Sequence, residues 1–247
     1  MRRLKTVVTL AFLAAVIVSA CVALPAIDEQ AMEGSGTLAE ETRPISGVTA
    51  VELSMPGTLH IEIGEAESLR VSAEDNLLPY IETNARGGEL AIETSPNVDL
   101  RPRQPIDYYL TVTALDSLGV SSSGDVEAPD LQATHFSVTI SSSGSVDINS
   151  LQAETLDAEI SSSGGLTIGG GEVQRQEIRL SSSGEYMAKE MLSSEAIVRI
   201  SSSGSPTIRV QDSIDGDLSS SGGVFYLGSP QLNVRTSSSG KAVQIDN

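Results

Sequence analysis

The chain has 247 residues, 39% of them hydrophobic, with 33 acidic against 15 basic side chains. Arg2, Arg3 and Lys5 lie in an N-terminal segment without Asp or Glu, so the rest carries 12 basic against 33 acidic groups, a balance of −21. That surface excludes a nucleic-acid protein, which needs cations for phosphates, and a polybasic membrane-surface module. Two histidines, one cysteine and no tryptophan leave little for metal or thiol chemistry, and no cofactor is expected.

Residues 1–20 read as a lipoprotein signal peptide. A basic start precedes an apolar run from Val7 to Val18, about 12 residues, where a membrane-spanning helix needs ~20. Val18-Ser19-Ala20-Cys21 resembles the lipobox of bacterial lipoproteins, which implies acylation of Cys21 as the first mature residue. An exported protein, lipid-anchored to the cell membrane or outer membrane with its domain outside the cytoplasm, is the expectation. A lone cysteine also fits, since it cannot form an internal disulfide. Residues 21–44 are acidic and rich in small residues, and read as a flexible tether with a reach of roughly 25 to 30 Å, with a short strand or helix packed on the domain edge as the alternative.

The next feature is repetition. Ser-Ser-Ser-Gly begins at Ser121, Ser141, Ser161, Ser181, Ser201, Ser219 and Ser237, at spacings of 20, 20, 20, 20, 18 and 18. Apolar residues keep phase with it. Val120, Ile140, Ile160, Leu180, Ile200 and Leu218 stand just before the first six serine runs, and Val126, Val146, Leu166, Tyr186 and Val224 recur two places after a glycine. Alternation of period 2 within each unit predicts short strands. A unit this small cannot fold alone and must stack on copies of itself. The expected fold is an all-β, parallel β-solenoid of ~20-residue coils, with neighbouring coils ~4.8 Å apart.

Parity assigns roles to the serines. Val138, Ile140, Ser142, Gly144, Val146 and Ile148 should face inward, while Ser141, Ser143, Ser145 and Asp147 face out. The middle serines (122, 142, 162, 182, 202, 220, 238) then form an inner hydroxyl column that donates along the stack. The glycines supply a backbone φ that other residues resist and leave room at a tight corner. Ser121, Ser123, Ser141, Ser143, Ser161, Ser163, Ser181, Ser183, Ser201 and Ser203 form an outward hydroxyl ladder, a candidate binding face.

The solenoid is expected over 45–247, with irregular coils and a cap in 45–118 and regular coils in 119–247. Ser54-Met-Pro-Gly57-Thr-Leu-His-Ile61 can be laid over Ser121-Ser-Ser-Gly124-Asp-Val-Glu-Ala128. The stretch ending Gly88-Glu-Leu-Ala-Ile92 shows the same glycine-then-alternation pattern. Leu69 to Ala73 and Tyr108 to Thr113 are further strand candidates. A cap is placed around Pro44 to Ile63, because a bare sheet edge recruits other chains. The polar end around Lys241, Gln244 and Asp246 should close the other side.

Val48-Thr-Ala-Val-Glu-Leu, Gly57-Thr-Leu-His-Ile-Glu-Ile-Gly64, Glu74-Asp-Asn-Leu-Leu-Pro79 and Gly88-Glu-Leu-Ala-Ile92 together resemble the head GIN domain family, described as putative auto-transporter adhesins. The resemblance spans roughly 45 to 245 and implies a right-handed parallel β-helix and an adhesive role. It supplies no catalytic residues. This chain differs in writing Ser-Ser-Ser-Gly where the family often has Gly-Ser-Gly.

Three functions are open at this point. A surface-tethered, non-catalytic interaction module would use the repetitive face, with the membrane as one partner through the lipid and an extracellular polymer, glycan or envelope protein as another. A polysaccharide-active enzyme would need clustered carboxylates and cations, for which Asp99, Arg101, Arg103 and Asp107 are the candidates. A passive envelope spacer is the third. His60 and His135 are isolated in sequence and are expected at surface or core positions. No Asp-x-Asp-x-Asp-Gly calcium loop occurs.

Overall fold

The computed structural model describes residues 30–219, 221–237 and 239–246. The signal peptide and Cys21 lie outside the described residues, as do Ser220 and Ser238. Nineteen strands and one short 3-10 turn make up the described chain. They run β1 (Gln30–Glu33), β2 (Leu38–Arg43), β3 (Ala50–Leu53), β4 (Thr58–Ile63), β5 (Ser68–Glu74), the turn at Leu78–Tyr80, β6 (Ile81–Arg86), β7 (Glu89–Thr94), β8 (Val98–Arg101), β9 (Asp107–Val112) and β10 (Ser117–Val120). The regular half follows as β11 (Asp125–Ile140), β12 (Ser145–Ile160), β13 (Gly165–Ile168), β14 (Gly171–Leu180), β15 (Glu185–Ile200), β16 (Thr207–Leu218), β17 (Gly223–Leu227), β18 (Gln231–Thr236) and β19 (Lys241–Gln244).

The result is a parallel β-solenoid of about six turns. Each 16-residue strand wraps around the coil, and its pairing skips the corners. In β11 the ladder to β12 covers 125–128, 130–133 and 135–140 and omits Pro129 and Thr134. Three sheet faces result. The strand pieces after Ser-Ser-Ser-Gly form one, here the leading face, and those before it form the trailing face. Registers are offset by 20 residues from β11 through β15 and by 18 at the C-terminal end of β15 onward. The change is made on the third face, where β15 shifts register between Ala188 and Leu192 and between Ser193 and Glu195.

Inward columns are continuous. Ile140, Ile160, Leu180, Ile200 and Leu218 stack directly above one another and are buried. Like side chains at strand spacing fill one uninterrupted apolar core, the main source of stability here. The first serine of each turn keeps the backbone ladder running through the corner, with Ser161 N donating to Ile140 O at 2.9 Å and Ser201 N to Leu180 O at 2.9 Å. Ser121, Ser123, Ser141 and Ser143 are exposed, as are their counterparts through Ser203. Ser122, Ser142, Ser162, Ser182 and Ser202 are half-buried rather than internal. Ser142 Oγ donates along the stack to Ser122 O, and Ser202 Oγ to Ser182 O.

Of the two roles expected of the turn glycine, the unusual φ is absent and the need for room at the corner is present. None of the glycines from 124 to 222 that close these turns has a positive φ. What excludes a side chain is the coil beneath: a Cβ on Gly144 would lie 2.1 Å from Gly124 O, and one on Gly164 would lie 2.4 Å from Gly144 O. Conformational freedom is used elsewhere, at Gly171 (φ +105), where the corner between β13 and β14 presses against Leu151 O.

The N-terminal half is part of the same stack and shares its core. The overlay of Gly57 on Gly124 is correct: Thr58, Leu59 and His60 pair with Asp125, Val126 and Glu127, and the Ser54 and Ser121 hydroxyls lie 2.8 Å apart. Leu69 to Ala73 and Tyr108 to Val112 are strands as expected. The Gly88 overlay fails. Glu89–Ile92 pairs with Ala50–Leu53, so β7 precedes the turn on the trailing face instead of following it. The cap is also elsewhere. β3 and β4 lie directly beneath the first regular coil, and the end is closed by antiparallel strands, β5 on β9, β2 on β5, and β6 on β7.

The flexible tether expected over 21–44 does not extend that far. Gln30–Glu33 pairs with Val98–Arg101, and Leu38–Arg43 pairs with β5. At the other end β18 and β19 form the last rung. Leu232 there continues an inward column above Ile214 yet is 45% exposed, so the polar residues around Lys241 only partly close the core.

Candidate functional site

On the trailing face, two outward columns run beside the serine ladder. The positions two before each serine run align as Thr139, Glu159, Arg179, Arg199, Asp217 and Arg235. The positions four before align as Ser137, Asp157, Glu177, Ile197, Asp215 and Asn233. Arg179 and Arg199 sit on successive rungs, where like charges directly opposite repel. Glu177 resolves this by accepting from both, from Arg179 at 2.5 Å and from Arg199. The Glu177 carboxylate is mostly covered, while the guanidinium groups remain half in solvent. Between these arginines and Ser181, Ser201 and Ser219 runs a groove of about 350 Å³, with Glu159 and Asp217 also on its wall. This is the face for which the sequence proposed a hydroxyl ladder. The arginine column beside it was overlooked, although reading the period one column at a time displays it.

On the leading face, a second cluster brings together residues far apart in sequence. The β4–β9–β5 register sets His60, Tyr109 and Arg70 side by side. The His60 ring stacks on Tyr109 at 5.0 Å and 18°, and the Arg70 guanidinium lies 4.0 Å over the Tyr109 ring. His60 Nδ1 is 3.0 Å from a Glu127 oxygen and Nε2 is 3.1 Å from an Asp107 oxygen. Each nitrogen is taken by a carboxylate from a different strand, so the three groups do not converge on one point. Among the described residues no cluster of His, Cys, Asp and Glu has metal-binding geometry. His135 is exposed, against Thr155 and 3.3 Å from Asp157.

The proposed catalytic quartet is split. Asp99 pairs with Arg101 at 3.0 Å on β8, and Arg101 and Arg103 both reach toward Glu33. Asp107 belongs to the His60 row instead. The loop at 102–104 is held by a third arrangement. The Glu74 carboxylate accepts the N–H groups of Gly36 (2.5 Å), Arg103 (2.8 Å) and Gln104 (3.4 Å) and is fully buried. Asp75 takes the Ser35 hydroxyl, and Asn76 takes Ser35 N and donates to Glu33 O. Burial pushes the Glu74 carboxyl up, but these backbone donors outweigh it and hold the group below the usual carboxylate range. The Glu-Asp-Asn motif thus clamps the N-terminal segment to the end of the solenoid.

A family model described as "Putative auto-transporter adhesin, head GIN domain" matches residues 48–230. No curated protein matches the chain. Several crystal structures share its fold, among them the following three. A putative adhesin from Bacteroides fragilis is 18% identical at a TM-score of 0.79, covering 87% of this chain and 100% of that one. A putative lipid binding protein from Parabacteroides distasonis is 22% identical at 0.74, covering 88% and 100%. A putative adhesin from Parabacteroides merdae is 17% identical at 0.69, also covering 88% and 100%.

Proposed function

Because the chain belongs to the head GIN domain family of putative auto-transporter adhesins, we propose that it is a non-catalytic interaction module tethered outside the cytoplasm through an acylated Cys21. The observation that carries this reading is the trailing face, where the stacked core holds charged groups on the successive rungs from Glu159 to Asp217 beside a column of serines. Binding, unlike turnover, needs only that such groups be held in fixed positions along a polymer or a partner surface. The first described strand begins at Gln30, nine residues along the chain from Cys21. Such a segment spans at most about 30 Å. The solenoid would therefore stand close to the bilayer, and its lateral faces would be the surfaces presented.

The test is expression of wild type and Cys21→Ala in a lipoprotein-processing bacterium, followed by fractionation and adhesion to immobilised glycans and matrix proteins. Wild type should partition into the detergent phase and promote adhesion, and the variant should be released and lose adhesion while its domain remains folded. Equal membrane association of the variant would refute the anchor, and adhesion no greater than in cells lacking the protein would refute the module.

A further inference from the structure

We infer that the trailing-face groove is a binding site for a neutral, extended polysaccharide that runs along the solenoid axis; this names the ligand class of the interaction module proposed above and rests on that reading. Successive rungs lie ~4.8 Å apart. The groove wall presents Glu159, Arg179, Arg199 and Asp217 in order, with Ser181 and Ser201 alongside. A guanidinium donates through a planar fork, a carboxylate accepts through two oxygens, and a serine hydroxyl does both. Paired planar groups of this kind suit the adjacent hydroxyls of a sugar ring, and the serine column that recurs beside them at Ser181, Ser201 and Ser219 suits a repeating chain.

The charges argue for neutrality. The four charged groups of the wall sum to zero, and Glu177 already engages both arginines. The chain as a whole carries −18, which repels polyanions. A peptide adding as a strand is not accommodated, because β14 is paired on both sides, to β12 and to β15. The Glu177 contacts hold both guanidinium groups before a ligand arrives, which limits the ordering cost on binding. No aromatic residue belongs to the groove, so each sugar should bind weakly and affinity should accumulate with chain length.

The experiment is titration of the soluble domain, residues 22–247, by NMR and calorimetry with neutral oligosaccharides of the cello, xylo, malto and chito series, from disaccharide to octasaccharide. Polygalacturonate and heparin are the anionic arms. Full-length protein displayed on cells is assayed for adhesion in parallel. The expected result is that one neutral series binds, that affinity rises about tenfold or more from the shortest to the longest member, and that shifts map to 159–219. Arg179→Ala with Arg199→Ala should weaken binding by about tenfold. Ser181→Trp, which fills the groove and leaves the Glu177 contacts alone, should abolish binding while the thermal melt stays that of a folded domain. Binding confined to the anionic polymers, or binding that survives Ser181→Trp, would overturn the inference. Adhesion by displayed wild type without any glycan binding would also overturn it while leaving the tethered-module reading standing. Absence of both would overturn the two together.

Discussion

Replacing Gly164 with alanine tests the stacking at its tightest kind of contact. The added Cβ would lie 2.4 Å from Gly144 O, 2.6 Å from Ile140 Cγ2 and 2.8 Å from Ser142 O. Two of these neighbours are backbone of the adjacent coil and cannot rotate away. To reach even 3.0 Å from Gly144 O the coils must part locally by at least 0.6 Å. That opening stretches the bonds from Gly164 N to Ser142 O (2.9 Å) and from Gly165 N to Gly144 O (3.2 Å). Two weakened ladder bonds at ~1 kcal/mol each and an overpacking term of ~1–3 kcal/mol give a loss of about 3–5 kcal/mol. The next residue is the control. A Cβ on Gly165 meets nothing within 4 Å, so Gly165→Ala should be neutral or stabilising by up to ~1 kcal/mol. Urea unfolding gives the stabilities, and amide exchange locates the opening at 164, 165 and 185. The series should also be graded, with Gly204→Ala, whose nearest contact is 3.0 Å, milder than Gly164→Ala. Equal stability of Gly164→Ala and Gly165→Ala would refute the argument.

Two further substitutions probe buried polar groups. In the core, Gln176 donates to Ser193 Oγ at 2.6 Å and accepts from Tyr186 Oη at 2.8 Å; Gln176→Leu should cost about 1–3 kcal/mol by leaving the Tyr186 hydroxyl unpaired. Tyr186→Phe added to Gln176→Leu should then cost less than the two singles together, measured as a double-mutant cycle. At the N-terminal end, Glu74→Gln should lower the melting temperature at neutral pH and speed amide exchange at Gly36 and Arg103. Because the folded Glu74 carboxyl is held low, its contribution is complete above the ordinary carboxylate pKa of about 4.3 and fades as pH falls through the folded value. The difference between wild type and Glu74→Gln should therefore be constant from pH 6 to 8, about two units above that pKa, and shrink in acid; a difference that grows in acid would contradict the clamp.

The regular coils were legible because period, alternation and side-chain size repeat in phase, and each of those signals is local to one unit. The outward position of the flanking serines and the pairing of Gly57 with Gly124 followed from the same arithmetic. Direction is another matter: β5 alternates like any half-buried strand, and nothing in Leu69 to Ala73 tells a parallel from an antiparallel neighbour. The β2 strand was read as tether because an edge strand paired on one side needs little apolar surface, and Leu-Ala-Glu-Glu-Thr-Arg supplies little. That the turn glycines make room was legible, but the crowding atoms belong to the neighbouring coil and are invisible within one coil. The His60, Tyr109 and Arg70 row escaped for a related reason, since three separate strands bring it together. The arginine column does lie in the period, at the outward phase between the apolar positions.

In-register stacking along one straight face can be measured as distances. Spin labels at Cys introduced for exposed Ser121 and Ser201, for Ser121 and half-buried Ser219, or for Ser121 and exposed Ser237, in a Cys21→Ala background, are separated by four, five and six rungs. At ~4.8 Å per rung the separations should fall near 19, 24 and 29 Å and increase evenly. Broad distributions, or three separations that do not grow with rung number, would contradict the stack and the continuous binding face built on it.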